Sequence, residues 1–285
     1  MKTNLQLLIV FFAGLFFCSC YSARYVYSPA AHNVPVLTEK GDNKVALLYS
    51  SNWVNSTYQA EPKVRNRGRG LDAQGAYAFT DHFAVQGAYV YRSEMNFADK
   101  NYYKDSSTLK YNRHMAELGL GYYMALGKRG NTLFQVFAGG GYGKSVLSDL
   151  YMGAGDTANR FFNMNVSKLY IQPAFTFRFS DNFNISLSNR LSFVYFSNVS
   201  TNYDASEINA YKLAGIGSKK IVFYEPAFIN GFRFDKLRGI QFEIQFGFSG
   251  ITGEHYADHR AFNFAAGVCA DITEIFGGNT RRQKN

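Results

Sequence analysis

The chain has 285 residues, of which 17% are aromatic, with 27 Phe and 21 Tyr against a single Trp. That is too rich in bulky apolar groups for a disordered chain, and long enough for one large domain or two small ones. The formal charge is +9, but the basic residues scatter over the sequence instead of forming a stripe, which argues against nucleic acid as a partner. A mean hydropathy of −0.21 looks soluble, yet a sheet that alternates apolar and polar residues hides its apolar face in such an average.

The first elements in chain order are those of a targeting segment. Lys2 supplies a short positive region and Leu5 to Phe17 an apolar one, too short to span a membrane comfortably, so residues 1–19 read as a signal peptide. Its end, Phe17-Cys18-Ser19-Cys20, resembles a bacterial lipobox. The resemblance implies acylation of Cys20, which follows small Ser19, whereas Cys18 would need cleavage after bulky Phe17. Phe17 itself departs from the pattern, which usually carries Leu there, and an ordinary secretory leader cut nearby is the alternative. Acyl chains would bind membrane through buried methylene groups. Loss of Lys2 lowers the formal charge to +8. Cys269 is then left alone, with no disulfide framework or cysteine-based zinc site, and reads as a small filler facing a lumen.

Residues 20–42 are polar, contain Pro29 and Pro35 and show no period, and are expected as a periplasmic N-terminal segment. Within them Asn33-Val-Pro-Val-Leu-Thr-Glu-Lys-Gly-Asp42 resembles the NVPLLTEKGE-like stretch that precedes the first strand of small outer-membrane barrel proteins of Bacteroidota. That resemblance implies a fold and a location, not an activity. It also implies dealings with lipoprotein-processing and barrel-assembly machinery.

From residue 43 the chain alternates. In Ile240 to Ser249 the residues Ile240, Phe242, Ile244, Phe246 and Phe248 share one face, and Gln241, Glu243, Gln245, Gly247 and Ser249 the other. Similar stretches give ten predicted strand cores at 43–53, 70–79, 83–93, 110–126, 132–146, 161–179, 183–197, 219–234, 239–250 and 260–273. The links at 80–82, 127–131, 180–182 and 235–239 are short and rich in Asp, Asn and Gly. They alternate strictly with long polar links at 54–69, 94–109, 147–160, 198–218 and 251–259. The expectation is an all-β, antiparallel transmembrane β-barrel of about ten strands, with eight to twelve open. Residues 43–276 would form it, with short periplasmic turns, long outer loops and both termini in the periplasm. Pro173 and Pro226 cannot donate to a ladder and are expected beside bulges or near strand ends. Residues 277–285 form a polar tail, and Phe276 stands as the candidate terminal aromatic.

The phase assigns Phe83, Tyr89, Leu118, Leu120, Phe175, Phe179, Leu187 and Phe228 to a lipid-facing exterior. It assigns a lumen polar network of Asp72, Glu117, Arg178, Arg190, Glu225, Arg233, Glu243 and Asp271, with Arg92 and Gln74, Gln86, Gln135, Gln172 and Gln245 beside them. Buried ions must pair, and a ten-strand barrel is barely wider than one that its side chains fill. A closed, stapled interior therefore leads over a narrow polar path.

Catalytic chemistry needs a nucleophile, a base and an orienting acid together. Of the histidines, His32 lies in the leader, His82 in a short turn, and His114 on a lipid-facing rim. His255 and His259 in a six-residue stretch with Glu254 and Asp258 have metal-ligand chemistry but read as a solvated loop. No catalytic residue, metal or cofactor is assigned. The leading functional expectation is a non-catalytic outer-membrane surface protein that presents its loops, with outer-membrane lipid and lipopolysaccharide as partners, the latter met by the basic run 63–69. No extracellular ligand is identified. Tyr102, Tyr103, Tyr151, Phe161 and Phe162 offer contact area at loop positions. The alternatives are a narrow pore for small polar solutes and a lipid-modifying enzyme.

Overall fold

The computed structural model describes residues 23–52, 64–98, 106–127, 130–152, 157–234, 236–253 and 255–276. Cys20, the signal peptide, Tyr102, Tyr103, Glu254, part of the basic run and the tail 277–285 lie outside the described residues. The chain forms a closed antiparallel β-barrel of ten strands. In order these are β1 (Asn43–Ser51), β2 (Val64–Ala78), β3 (Phe83–Ala98), β4 (Ser106–Leu126), β5 (Thr132–Met152), β6 (Thr157–Ser180), β7 (Phe183–Thr201), β8 (Lys220–Arg233), β9 (Ile240–Phe248) and β11 (Phe262–Ala270). The two-residue β10 (Gly250–Ile251) prolongs β9 past Ser249 and keeps its pairing to β8. Each strand pairs with its sequence neighbour, and β1 pairs with β11 to close the wall.

Alternation decides which way each side chain points. On β4, Leu118 is 66% exposed and its neighbour Glu117 only 7%. Phe83, Tyr89, Leu120, Phe175, Phe179, Leu187 and Phe228 are exposed in the same sense. A continuous belt of bare Leu, Phe and Tyr around a closed wall is stable against hydrocarbon, not against water. Pairing β1 to β11 also removes the two open edges of the sheet, which lipid would penalise. The exterior is thus that of a transmembrane barrel.

Three features of the wall and its C-terminal end differ from expectation. The walls rise further than the predicted cores at the long-link end: β3 runs to Ala98, β4 starts at Ser106, β5 ends at Met152 and β6 starts at Thr157. There the outward residues become polar (Lys110, Asn112, Ser148), so the apolar period fades, although the ladder continues through Lys110↔Ser148 and Asn112↔Val146. Pro173 and Pro226 lie in mid-strand, where one flanking ladder is interrupted. The β6–β7 register passes from Ile171↔Leu191 to Ala174↔Ser188, and the wall beside Pro226 passes from Tyr224↔Gly250 to Ala227↔Gly247. A gap without a register shift accommodates the missing N–H in each case. Past β11 the chain turns into a short helix, α2 (Ile272–Phe276), on which Phe276 is 81% exposed. The link after β7 carries another short helix, α1 (Ala205–Ala210), capped by Asp204.

The largest departure concerns residues 23–37. They were expected as a periplasmic segment, with His32 outside the barrel. They are instead buried inside it, with only Val36 half-buried.

Candidate functional site, a lumen filled by its own N-terminal segment

Residues 23–37 run extended through the lumen, and their contacts fall in order along the barrel. Two prolines and no amphipathic period leave this stretch unable to form a helix or pair fully as a strand. Its backbone groups must still be satisfied once buried, and side chains of the wall do this.

At the long-link end, Arg24 Nη2 lies 2.7 Å from Asp149 Oδ2, its Nε donates to Tyr203 Oη at 3.1 Å, and its guanidinium stacks 3.8 Å from the Tyr211 ring centre. Tyr203 Oη donates to the same Asp149 oxygen at 2.7 Å. Tyr25 N–H donates to Tyr111 Oη at 3.2 Å, and its carbonyl accepts from Arg113. The link before β11 folds back to meet this segment: Val26 N–H donates to Asp258 O at 2.8 Å, and Arg260 N–H to Tyr27 O at 3.0 Å. Residues 257–260 are therefore buried rather than a solvated loop. His259 Nε2 sits 3.0 Å from the Ser249 carbonyl oxygen, while His255 is exposed. Phe162, Met164, Val194, Phe196 and Ile221 pack an apolar cluster around Tyr25 and Val26.

One step inward lies the densest charge cluster. Glu94 accepts from Arg113 at 2.7 Å, from Arg260 at 2.9 Å and from Ser28 Oγ at 2.6 Å. Beside it Asp72 takes both guanidinium nitrogens of Arg92, at 2.5 and 2.8 Å. Asp72 also accepts from Ser50 Oγ at 2.7 Å and Ala31 N–H at 3.0 Å. Arg92 and Asn52 both donate to the Pro29 carbonyl at 3.2 Å. Glu225 accepts from Tyr27 Oη at 2.9 Å and Ser192 Oγ at 2.5 Å.

At mid-height the amides take over. Gln245 accepts from His32 N–H at 2.9 Å and donates to His32 O at 2.8 Å, so one side chain satisfies both backbone groups of one residue. Gln74 donates to Ala31 O at 3.0 Å and Gln172 to Asn33 O at 2.8 Å. Asn33 Nδ2 returns a bond to Gly75 O at 2.8 Å. Gln172 also accepts from Arg190 Nε at 2.8 Å, and Arg190 and Lys168 both pair with Glu117. Glycines make the room: a Cβ on Gly119 would stand 2.5 Å from Tyr170 Oη, and one on Gly139 2.8 Å from it. Toward the short-turn end, Lys44 Nζ lies 2.7 Å from Glu243, whose other partners are Gln245 at 2.7 Å and Cys269 Sγ at 3.4 Å. Leu37 ends the run among Ala78, Ala84, Tyr123 and Phe137.

The residues assigned to the lumen network from sequence divide accordingly. Asp72, Glu117, Arg190, Glu225 and Glu243 are buried in it, each with a polar partner. Arg178, Arg233 and Asp271 stand at the short-turn rim instead. Arg178 Nη2 donates to Gly130 O at 2.5 Å, Arg233 lies 3.4 Å from Glu274, and Asp271 accepts from the Glu274 N–H at 3.0 Å in α2. Beside them a cavity of about 540 Å³ opens, lined by Val36, Arg178, Asp181, Asn184 and Arg233 among others. Sequence reasoning missed Glu94, Arg113 and Lys168, which share the inward phase of Arg92, Glu117 and Gln172. It also missed Arg24, which carries no phase, and Arg260, whose phase in the predicted core 260–273 is opposite to that of Asp271; the strand starts only at Phe262.

No family model matches the sequence, and no curated protein matches it. Among solved structures the fold is similar to the outer membrane protease OmpT from Escherichia coli, with 10% identity, a TM-score of 0.45, and coverage of 84% of this chain and 99% of that one. It is also similar to the translocator domain of the autotransporter NalP from Neisseria meningitidis (10% identity, TM-score 0.46, 85% and 90% coverage). A third likeness is to the outer membrane protein OprG from Pseudomonas aeruginosa (10%, 0.36, 82% and 97%). All are outer-membrane barrels, and the likeness is one of fold.

Proposed function

We propose that this protein is a non-catalytic outer-membrane barrel with a permanently filled lumen, a rigid scaffold that presents its long links at the cell surface. The observation that carries this reading is the lumen itself. Asp72, Glu94 and Glu225 and the amides of Gln74, Gln172 and Gln245 are engaged with residues 23–37, which occupy the lumen from the long-link end to the short-turn end.

The short turns lie in the periplasm and the long links outside, as is usual for such barrels. The wall's outer charge supports this. On the long-link half of β2 to β5 the exposed residues Arg67, Arg69, Lys110, His114 and Lys144 point away from the lumen, and Tyr91, His114 and Lys144 lie side by side in the ladder. Among the described outward positions of these four strands there is no acidic residue. Cations facing the bilayer centre cost about 2–4 kcal/mol and almost nothing at its rim, so this band fits a headgroup region rich in phosphate, such as lipopolysaccharide. Cys20, on this reading, carries the acyl anchor of a lipoprotein related to the Bacteroidota barrels.

Planar-bilayer recording tests the filled lumen. The purified protein is expected to insert silently, and removal of residues 23–37 to open conductance. Discrete steps from the intact protein, altered by Arg190→Ala or Glu243→Ala, would instead establish the narrow-pore reading.

A further inference from the structure

The direction of the threaded segment has a consequence for the N-terminus. Arg24 is held at the long-link end by Asp149, near the end of β5, and by Tyr203, just beyond β7. Ser28 meets Glu94, His32 meets Ser188 and Gln245, and Leu37 reaches the short-turn end beside Ala78 and Ala84. Lys40 N–H then donates to Asp81 in the first short turn at 3.0 Å, and β1 begins at Asn43. The chain therefore travels from the long-link mouth to the short-turn mouth before the first strand starts, and then turns back to build the wall.

We propose that the chain ahead of Ala23 is displayed on the outer face of the membrane, so that Cys20 and its acyl group sit on the surface side and not in the periplasm. The display rests on the orientation proposed above; the threading does not. Reach makes the argument strict. Two residues, Tyr21 and Ser22, separate Cys20 from Ala23, a span of about 10–11 Å when fully extended, whereas residues 23–37 extended cover about 45–50 Å. A cysteine so close to Ala23 cannot return to the short-turn side.

The alternative, withdrawal of the segment to free a periplasmic anchor, would leave Glu94, Asp72 and Gln245 without partners they now have in Ser28, Ala31 and His32. It would also strip the aromatic and aliphatic packing around Tyr25 and Val26. Buried polar groups stripped of partners are costly, which holds the segment in place.

The test uses the full chain in cells, with a short epitope inserted in turn after Tyr21, within 153–156, or after Asn285, and antibody labelling before and after permeabilisation of the outer membrane. Heat-modifiable gel migration confirms a folded barrel in each case. The tags after Tyr21 and within 153–156 are expected to label on intact cells, and the C-terminal tag only after permeabilisation. If the tag after Tyr21 behaves like the C-terminal one while 153–156 labels on intact cells, the threading is wrong and the orientation stands. If 153–156 is masked and the C-terminal tag is exposed, the orientation falls, and the display with it.

Discussion

The two halves of the barrel solve the same problem differently. In the long-link half the lumen is sealed by paired charges and stacked rings: Glu94 between Arg113 and Arg260, Arg24 on Asp149, Tyr25 under the Arg260 guanidinium at 4.1 Å. In the short-turn half, beside the Lys44–Glu243 pair, the threaded segment thins to Val34 and Leu37 among apolar neighbours from Ala78 to Phe137, and a cavity opens between Arg178 and Arg233. The ionic end is the specified end. Buried ion pairs add little net stability against an apolar replacement, but they penalise every arrangement that separates them. The segment is thus fixed by buried charge where its N-terminus leaves the barrel, and by apolar packing and a local turn, with Asp42 accepting from Thr38 and Glu39, where it joins β1.

The largest expected effect breaks this asymmetry directly. Glu94→Ala strands two buried guanidinium groups and should destabilise the barrel by about 3–5 kcal/mol, read as a shift in urea unfolding in lipid vesicles. Arg178→Ala at the short-turn rim should change stability by no more than about 0.5 kcal/mol, as for other half-exposed positions. Equal losses at both sites would remove the distinction between the halves.

A smaller effect sharpens the boundary on the outside. Leu118→Arg places a charge in the apolar belt and should cost about 2–4 kcal/mol, whereas Val146→Arg, between Asn112 and Asn163 in the ladder, should cost about 0–1 kcal/mol. The difference, measured by the same unfolding titration, marks where hydrocarbon ends. Similar costs would mean that the belt extends to the long links.

The smallest effect lies beyond the wall. The Asp204 carboxyl is held below the ordinary aspartate range by the Ser206 hydroxyl and the Glu207 N–H, which cap α1. A lowered carboxyl contributes stability that is present above its unfolded value and lost as the pH falls through its folded one. Acidification should therefore loosen α1 while the ion-paired lumen below it holds, visible as faster amide exchange at residues 205–210. Asp204→Asn, which still accepts a hydrogen bond but does not titrate in this range, should abolish that pH dependence.

Much of this architecture was legible. The alternation of β9, Ile240 to Phe248, is readable because lipid and lumen demand opposite side chains on successive residues. Strand tops were lost where that demand stops. Lys110, Asn112 and Ser148 face outward above the hydrocarbon, so the period vanishes from hydropathy although the ladder persists. The phase alone would have reached Glu94 had β3 been continued, and Arg113 already lay within the predicted core 110–126, opposite in phase to His114. The threaded segment was invisible for a different reason. A chain clamped on all sides by Gln74, Gln172 and Gln245 has no exposed face, hence no amphipathic pattern. The signal available was the Gln set itself, since an amide that both donates and accepts matches a peptide backbone better than it matches an ion.

The seam between β1 and β11 joins the first strand made to the last. Residues 23–37 leave the ribosome before either, yet end up enclosed by both. Drawing that stretch lengthwise through a finished cylinder would drag its backbone past Glu94, Asp72 and Gln245 while their partners are still out of place, a costly passage for buried polar groups. Laying it against an open, curling sheet and zipping the final seam over it avoids that cost. The earliest-synthesised stretch thus doubles as the mandrel on which the rest is wound.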